Sequence, residues 1–147
     1  MTRDPYLEAA IGQAKKSLSE GGIPIGSVLV HEGKIIGRGH NCRVQTGSAI
    51  DHGEMNCLRN AGRLPSRVYR NSTIYSTLSP CPMCSGAIVL YKIPRVVVGE
   101  NQTFLGAEEY MRGNGIQVEV VQDSECIQLM RDFIRAHPQL WNEDIGE

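Results

Sequence analysis

An alternation of strand and helix patterns between residues 73 and 136 limits the folds open to this chain more than any other feature. Residues 73–78, 95–99 and 116–121 are short runs rich in β-branched side chains, as strands of a buried sheet require. Between them, residues 82–91 are apolar enough for a buried helix, 107–112 form a helical stretch, and Gly113-Asn114-Gly115 makes a turn. Residues 124–136 repeat Ile127, Met130, Phe133 and Ile134 at helical spacing. Strands joined through helices lie parallel, because the chain must cross back over the sheet. Upstream, residues 27–30 and 34–37 flank Glu32-Gly33 and read as a hairpin, which is antiparallel. The expectation is an α/β fold of three layers, α/β/α, around a central mixed five-stranded sheet. Asp4 and Pro5 open a first helix carrying Leu7, Ala10, Ile11, Ala14 and Leu18 on one face, and Gly21-Gly22 ends it. A polar loop over 41–51 leads to a short helix over 52–61 ended by Gly62, and His137-Pro138 stops the last helix and leaves 141–147 as a tail. With no internal repeat or linker, residues 1–147 read as one domain, large enough to bury a continuous core.

Charge and cysteine usage remove several function classes. Lysine and arginine number 15 against 16 acidic residues, a net charge of -1 that argues against a surface made to hold nucleic acid. No apolar run approaches a membrane span and the N-terminus lacks an apolar targeting segment, so no membrane partner is expected and the setting is cytoplasmic, extending to the nucleus. The 5 cysteines are scattered except for one Cys-x-x-Cys pair, which favours metal or redox chemistry over a disulfide framework.

That pair, Pro80-Cys81-Pro82-Met83-Cys84, and the segment His52-Gly53-Glu54 each stand where a helix begins. Cys81 falls at the cap, Pro82 suits the first helical position, and Cys84 returns to the same side. A helix N-terminus favours negative charge and so helps to hold both sulfurs as thiolates. Two thiolates and an imidazole (His52, Cys81, Cys84) are a ligand set that zinc accepts in an open catalytic site, one ion per chain. Zinc lowers the pKa of a bound water towards roughly 7. Glu54, two positions past His52, would border that water without ligating the metal and act as general acid and base. The combination H-x-E…P-C-x-x-C is the signature of the zinc deaminases, and here both halves occur in order.

Over nearly its whole length the chain also resembles the fungal cytosine deaminases, within the zinc-dependent cytidine and deoxycytidylate deaminases. The resemblance rests on Gly21-Gly22-Ile23-Pro24-Ile25-Gly26, Gly37-Arg38-Gly39-His40-Asn41, Thr77-Leu78-Ser79-Pro80-Cys81, Val98-Gly99-Glu100-Asn101 and the tail from Trp141 to Glu147. It implies a cytidine deaminase-like fold, a homodimer, one zinc per chain, and a free pyrimidine base converted from cytosine to uracil with release of ammonia. It further implies that Asn41 bonds the pyrimidine, that the backbone of Gly53 and Leu78 reads the ring edge, and that the Ser79 carbonyl and Asp144 accept from the amine. Ile25, Phe104 and Trp141 would form apolar walls. The hairpin is shorter by about two residues than in one well-known member of that family, and the helix after Glu54 differs in several side chains.

The residues alone leave other readings open. Cys81 and Cys84 could form a redox dithiol, and Cys57 could close a structural zinc site of four ligands, but neither has a use for Glu54. Cys42, Cys57 and Cys126 otherwise read as small buried hydrophobes. Asn41 could simply close a turn, Trp141 and Phe104 could be core, and Asp144 could belong to a solvated acidic tail. His31, His40 and His137 show no partner in the sequence. A nucleic-acid deaminase such as a transfer-RNA adenosine editor, and a non-catalytic zinc-stabilised interaction module, are the competing functions.

Overall fold

The computed structural model describes residues 2–147. The chain opens with α1 (Pro5–Ser19), capped by the Asp4 side chain, which accepts from the Tyr6 backbone at 2.8 Å. Strands β1 (Gly26–His31) and β2 (Lys34–His40) turn about Glu32 and Gly33, whose φ values of 49° and 75° are those of a two-residue primed turn. Three helices follow, α2 (Arg43–Thr46), α3 (Gly53–Ala61) and α4 (Ser66–Arg70). Then come β3 (Ser72–Ser76), α5 (Pro82–Leu90), β4 (Arg95–Val98), α6 (Glu108–Gly113) and β5 (Gln117–Val120). The chain finishes with α7 (Ser124–Ala136) and α8 (Pro138–Asp144).

The sheet is mixed and five-stranded, as the sequence leads one to expect, and its order is β2-β1-β3-β4-β5, antiparallel on the β2-β1-β3 side and parallel from β3 to β5. Strand alternation sorts the core into two layers. Val28, Val30, Tyr75 and Val97 face α1 and Cys126 of α7. Leu29, Ile74, Val96 and Val98 face Cys57 of α3, Ile88 of α5 and Met111 of α6. Each such side chain contributes about 1.5–3 kcal/mol on full burial. No helix among the described residues is long and apolar enough to cross a membrane.

Several expectations need correction. The hairpin ladder runs further than residues 27–30 and 34–37, back to a Gly26–His40 pair, with a bulge between Leu29 and Val30. Leu18 is 44% exposed; its neighbour Ser17 is buried instead, donating its hydroxyl to the Asn41 carbonyl at 2.6 Å. The loop over 41–51 contains α2, and α4 forms between Gly62 and β3 without a signal in the sequence, both being too short to show a period. The tail is helical. Pro138 ends α7 and also occupies the first position of α8, where a missing N–H costs nothing, and His137 serves as the shared cap.

The topology decides where a site can form. Strand β1 runs opposite to both neighbours, so its start lies beside the ends of β2 and β3, with Gly26 opposite His40 and Ser27 opposite Ser76. Ile25, Asn41 and Leu78 therefore emerge at one end of the sheet, where the parallel strand β4 also finishes. Ligands of α/β sheets bind beyond the carboxyl ends of the parallel strands. A third apolar cluster, Ile23, Ile25, Leu78, Met130, Phe133 and Trp141, closes that end.

Candidate active site

His52 and Cys81 sit in nearly the same local structure. Each is the N-cap of its helix in extended backbone, φ -68° and ψ 161° for His52, φ -66° and ψ 171° for Cys81. Each gives its carbonyl to the first helical turn, to the Asn56 and Ser85 amides at 2.8 Å. The two side chains face each other across the gap between α3 and α5. His52 Nδ1 lies 3.5 Å from Cys81 Sγ, and the ligand atoms of His52, Cys81 and Cys84 all lie within 4.8 Å of one another. In a tetrahedral zinc site, nitrogen and sulfur ligands stand about 3.6 Å apart, so the trio fits the ion. Cys57 does not complete a closed site: it is fully buried, with its thiol directed to the Gly37 carbonyl at 3.5 Å. Cys42 and Cys126 are buried thiols too, in keeping with their sequence reading.

The charges are arranged around these ligands. The Cys81 thiol is brought down to about 4 by a hydrogen bond from Cys84, against burial, with His52 adding to the effect. Cys84 is correspondingly raised by that shared bond and by burial. Burial opposes the His52 imidazolium, but the Cys81, Asp144 and Glu54 charges outweigh it and raise its pKa. Glu54 is 4% exposed in the first turn of α3, and burial, helped by the Cys81 charge, pushes its carboxyl up to about 7. A cation on the trio acts in the opposite sense. Glu54 stands outside the ligand trio, as its position past His52 requires.

The cavity beside the trio is lined by Ile25, Leu78, Ser79, Phe104, Trp141 and Asp144, together with His52, Glu54 and Cys81. Its free volume is about 10 Å³, room for roughly one water. Trp141 stands edge-on to Phe104, ring centroids 5.7 Å apart at 85°, so α8 is closed down over the site. A larger surface depression of about 590 Å³ near Arg3 and Asp123 holds none of these groups.

Asp144 is 7% exposed, and burial raises its carboxyl against His52, Asn41 and Arg43. It lies 3.7 Å from both His52 Nε2 and Arg43 Nη1. Asn41 is fully buried one step behind it: its side-chain amide donates to Asp144 at 2.9 Å, and its oxygen accepts from the Arg43 backbone at 3.1 Å. Asn41 thus closes a turn and orients Asp144 at once. Neither Asn41 nor Gly53 borders the free volume; Gly53 is the first residue of α3, packed against Ile25. The sequence reading missed Ile145, which also lines the cavity, and Arg43. Trp141, Asp144 and Ile145 follow helical i, i+3, i+4 spacing, a pattern that would have revealed the shared face had the tail been read as a helix.

A mixed sheet with an imidazole and two thiols at the mouths of two helices, and a buried carboxylate beside them, is the architecture of a zinc-dependent deaminase. The chain belongs to the family described as the cytidine and deoxycytidylate deaminase zinc-binding region, whose model matches residues 1–100. Zinc is accordingly its cofactor. It is 58% identical over 142 residues to a cytosine deaminase of Candida albicans, covering 96% of this chain and 95% of that one. It is 38% identical over 147 residues to a tRNA-specific adenosine deaminase of Bacillus subtilis, covering 92% and 91%. A solved structure from work on A-to-I editing by tRNA:A34 deaminases superposes with a TM-score of 0.74 at 27% identity, over 86% of this chain and 99% of that one. A guanine deaminase from Nitrosomonas europaea, at 18% identity and a TM-score of 0.72 over 90% of this chain and 86% of that one, shares the fold.

Proposed function

We propose that this chain hydrolyses free cytosine to uracil and ammonia. One observation carries the substrate class: α8 brings Trp141 and Asp144 over the trio and narrows the site to a small cavity, which suits a small molecule better than a polymer once the lid moves. The likeness to the Candida albicans cytosine deaminase over 96% of the chain supports cytosine in particular. The tRNA-specific relatives match at lower identity, and this chain's charge balance of 15 against 16 offers phosphates little.

His52, Cys81 and Cys84 hold the zinc, which supplies the Lewis acidity that makes water a nucleophile at neutral pH. Water oxygen adds to C4 of the ring, and the C4–N bond to the exocyclic amine breaks. Glu54 takes the two protons of the water in turn, passing the first to the ring nitrogen as the oxygen adds and the second, from the added hydroxyl, to the departing amine, so that the products are neutral uracil and ammonia. The Ser79 carbonyl and Asp144 accept from the amine and orient it. Asn41 fixes Asp144 from behind, and the backbone of Leu78, which lines the cavity, meets the ring edge. Ile25, Phe104 and Trp141 exclude water from the reacting face.

The reading extends to assembly. Leu90 and Tyr91 are 65% and 47% exposed, beside a groove formed by Met55, Leu58 and Ala87 between α3 and α5. Such a face suits a second copy of the chain in a homodimer. Five free cysteines suit a reducing cytoplasmic or nuclear setting. The test is ultraviolet absorbance of cytosine incubated with the zinc-loaded protein, with cytidine, RNA and buffer in parallel. Loss of the cytosine band alone is the expected result. Inosine formed in RNA, or no change anywhere, would overturn the reading in favour of an RNA editor or a non-catalytic zinc module.

A further inference from the structure

Glu108 is a buried carboxylate that the proposed chemistry does not use. It begins α6, where a negative charge complements the helix dipole, but the adjacent Glu109 occupies the same turn with its side chain 96% exposed. Glu108 instead turns inward, with its side chain 4% exposed. A carboxylate is not buried without partners. Ser79 Oγ donates to it at 2.7 Å, Asn101 Nδ2 approaches both of its oxygens at 3.2 and 3.3 Å, and Arg112 Nη1 lies 3.6 Å away.

These partners lead to the cavity. The Ser79 hydroxyl that donates to Glu108 also accepts from the Gly106 amide at 2.9 Å, tying the wall residue to the loop that carries Phe104. A side chain at Gly106 would place its Cβ 1.9 Å from the Pro80 carbonyl oxygen, so only glycine lets that loop press so closely onto Ser79 and Pro80. The Ser79 amide is held in turn by the Glu100 carbonyl at 3.0 Å. Ser79, which lines the cavity, is thus fixed through its amide and from behind through its hydroxyl, and the loop of the Phe104 wall shares the anchor.

We infer that Glu108 is a positioning residue for substrate: through Ser79 Oγ it holds the Ser79 main chain and the Phe104 loop as one wall that receives the base and its exocyclic amine. This rests on the proposed deamination for its kinetic readout but not for its structural one. Glu108→Ala, Glu108→Gln, Ser79→Ala and the double alanine variant are compared with wild type in cytosine kinetics, zinc content and amide hydrogen exchange over residues 102–106. Glu108→Ala and Ser79→Ala should each raise KM about tenfold, the loss expected for one charge-assisted hydrogen bond, with kcat within about threefold and zinc retained. The double variant should be no worse than either single one, because both remove the same link. Glu108→Gln keeps an acceptor for Ser79 and should restore KM. Exchange over 102–106 should quicken in Glu108→Ala. A lowered melting temperature with KM unchanged, multiplicative effects in the double variant, or unchanged exchange would each overturn the inference. If wild-type protein leaves cytosine untouched, the functional reading fails, and the exchange measurement alone still decides the role of Glu108.

Discussion

The metal cup and the lid that faces it are built on different principles. The cup takes His52 and Cys81 from two helix mouths in matching extended backbone, and Glu54 and Cys84 follow within the same first turns. Its geometry is local, set by capping and by helical spacing, and two packed helices hold it. The lid gathers groups that are far apart along the chain: Asn41 holds Asp144 across 103 positions, and Phe104 meets Trp141 only by packing. The cup is formed before substrate arrives. The lid, closed onto a free volume of about 10 Å³, must move to admit a base. Chemistry therefore resides in the rigid part, and selection in the part whose contacts are won by tertiary packing.

Changes in the cup should have the largest effects. Cys84→Ser replaces a thiolate with a poor zinc ligand and should strip most of the metal and with it nearly all turnover, read by metal analysis beside the absorbance assay. Full zinc occupancy in that variant would remove Cys84 from the ligand set. Glu54→Ala separates ligand from catalyst. It should keep one zinc per chain and lose about 10²–10⁴ of kcat, the range for a general acid-base group. A rate close to wild type would mean that another group moves the proton.

The same division explains what could be read in the sequence. Capping residues, Pro82 at a first helical position and the strand–helix alternation are local, so the sheet, the cup and the place of Glu54 were all legible. The lid was only half legible. Residue likeness marks Trp141 and Asp144, but Pro138 in the sequence signals only a stop, because the same missing N–H ends one helix and begins the next. Ile145 was lost with it. Asn41 was seen both as a turn-closer and as a recognition residue, and in the structure it closes the turn while orienting Asp144. Glu108 could not be found at all, since its burial depends on Ser79, 29 positions earlier. Glu109 beside it looks the same in sequence and points to solvent.

Removing the lid sharpens the comparison. A chain ending at Leu140 loses Trp141, Asp144 and Ile145, and should keep its zinc while cytosine turnover per folded molecule falls about 10–100-fold, as misplaced substrate implies. The intact protein should leave cytidine unreacted, since a ribose finds no room under α8. Stability will fall as well, because Trp141 covers Met130 and Phe133. Zinc content and melting are therefore measured beside turnover of cytosine and of cytidine. Undiminished activity per folded molecule would reduce α8 to a brace, and efficient cytidine turnover would show that the lid does not select.

The smallest effect is expected where a change reaches the lid only through the body of the fold. Asp123 caps α7, the helix that leads into α8, by accepting from the Glu125 and Cys126 amides at 2.9 and 3.0 Å. It also receives Arg3 Nε at 2.7 Å, which ties the start of the chain to this cap. Burial alone would raise the Asp123 carboxyl, but the Cys126 amide, Arg3 and the Glu125 amide outweigh it and hold the pKa below its ordinary value. A depressed carboxyl contributes stability that is present above the unfolded-state pKa, about 3.9, and is lost as the pH falls through the folded-state value. Asp123→Ala should therefore cost about 1–2 kcal/mol at neutral pH, and the difference from wild type should shrink below about pH 4. Urea unfolding at neutral pH and at successively lower pH measures both. Asp123→Asn keeps a capping oxygen but loses the ionic partner of Arg3, and should fall between the two. Zinc content and turnover per folded molecule should stay at wild-type levels in both variants, because the contacts of Trp141 and Asp144 with the cavity are untouched. A loss of turnover that matched the loss of stability would mean that the lid and α7 move as one unit, and would break the division between a rigid cup and a separately closing lid.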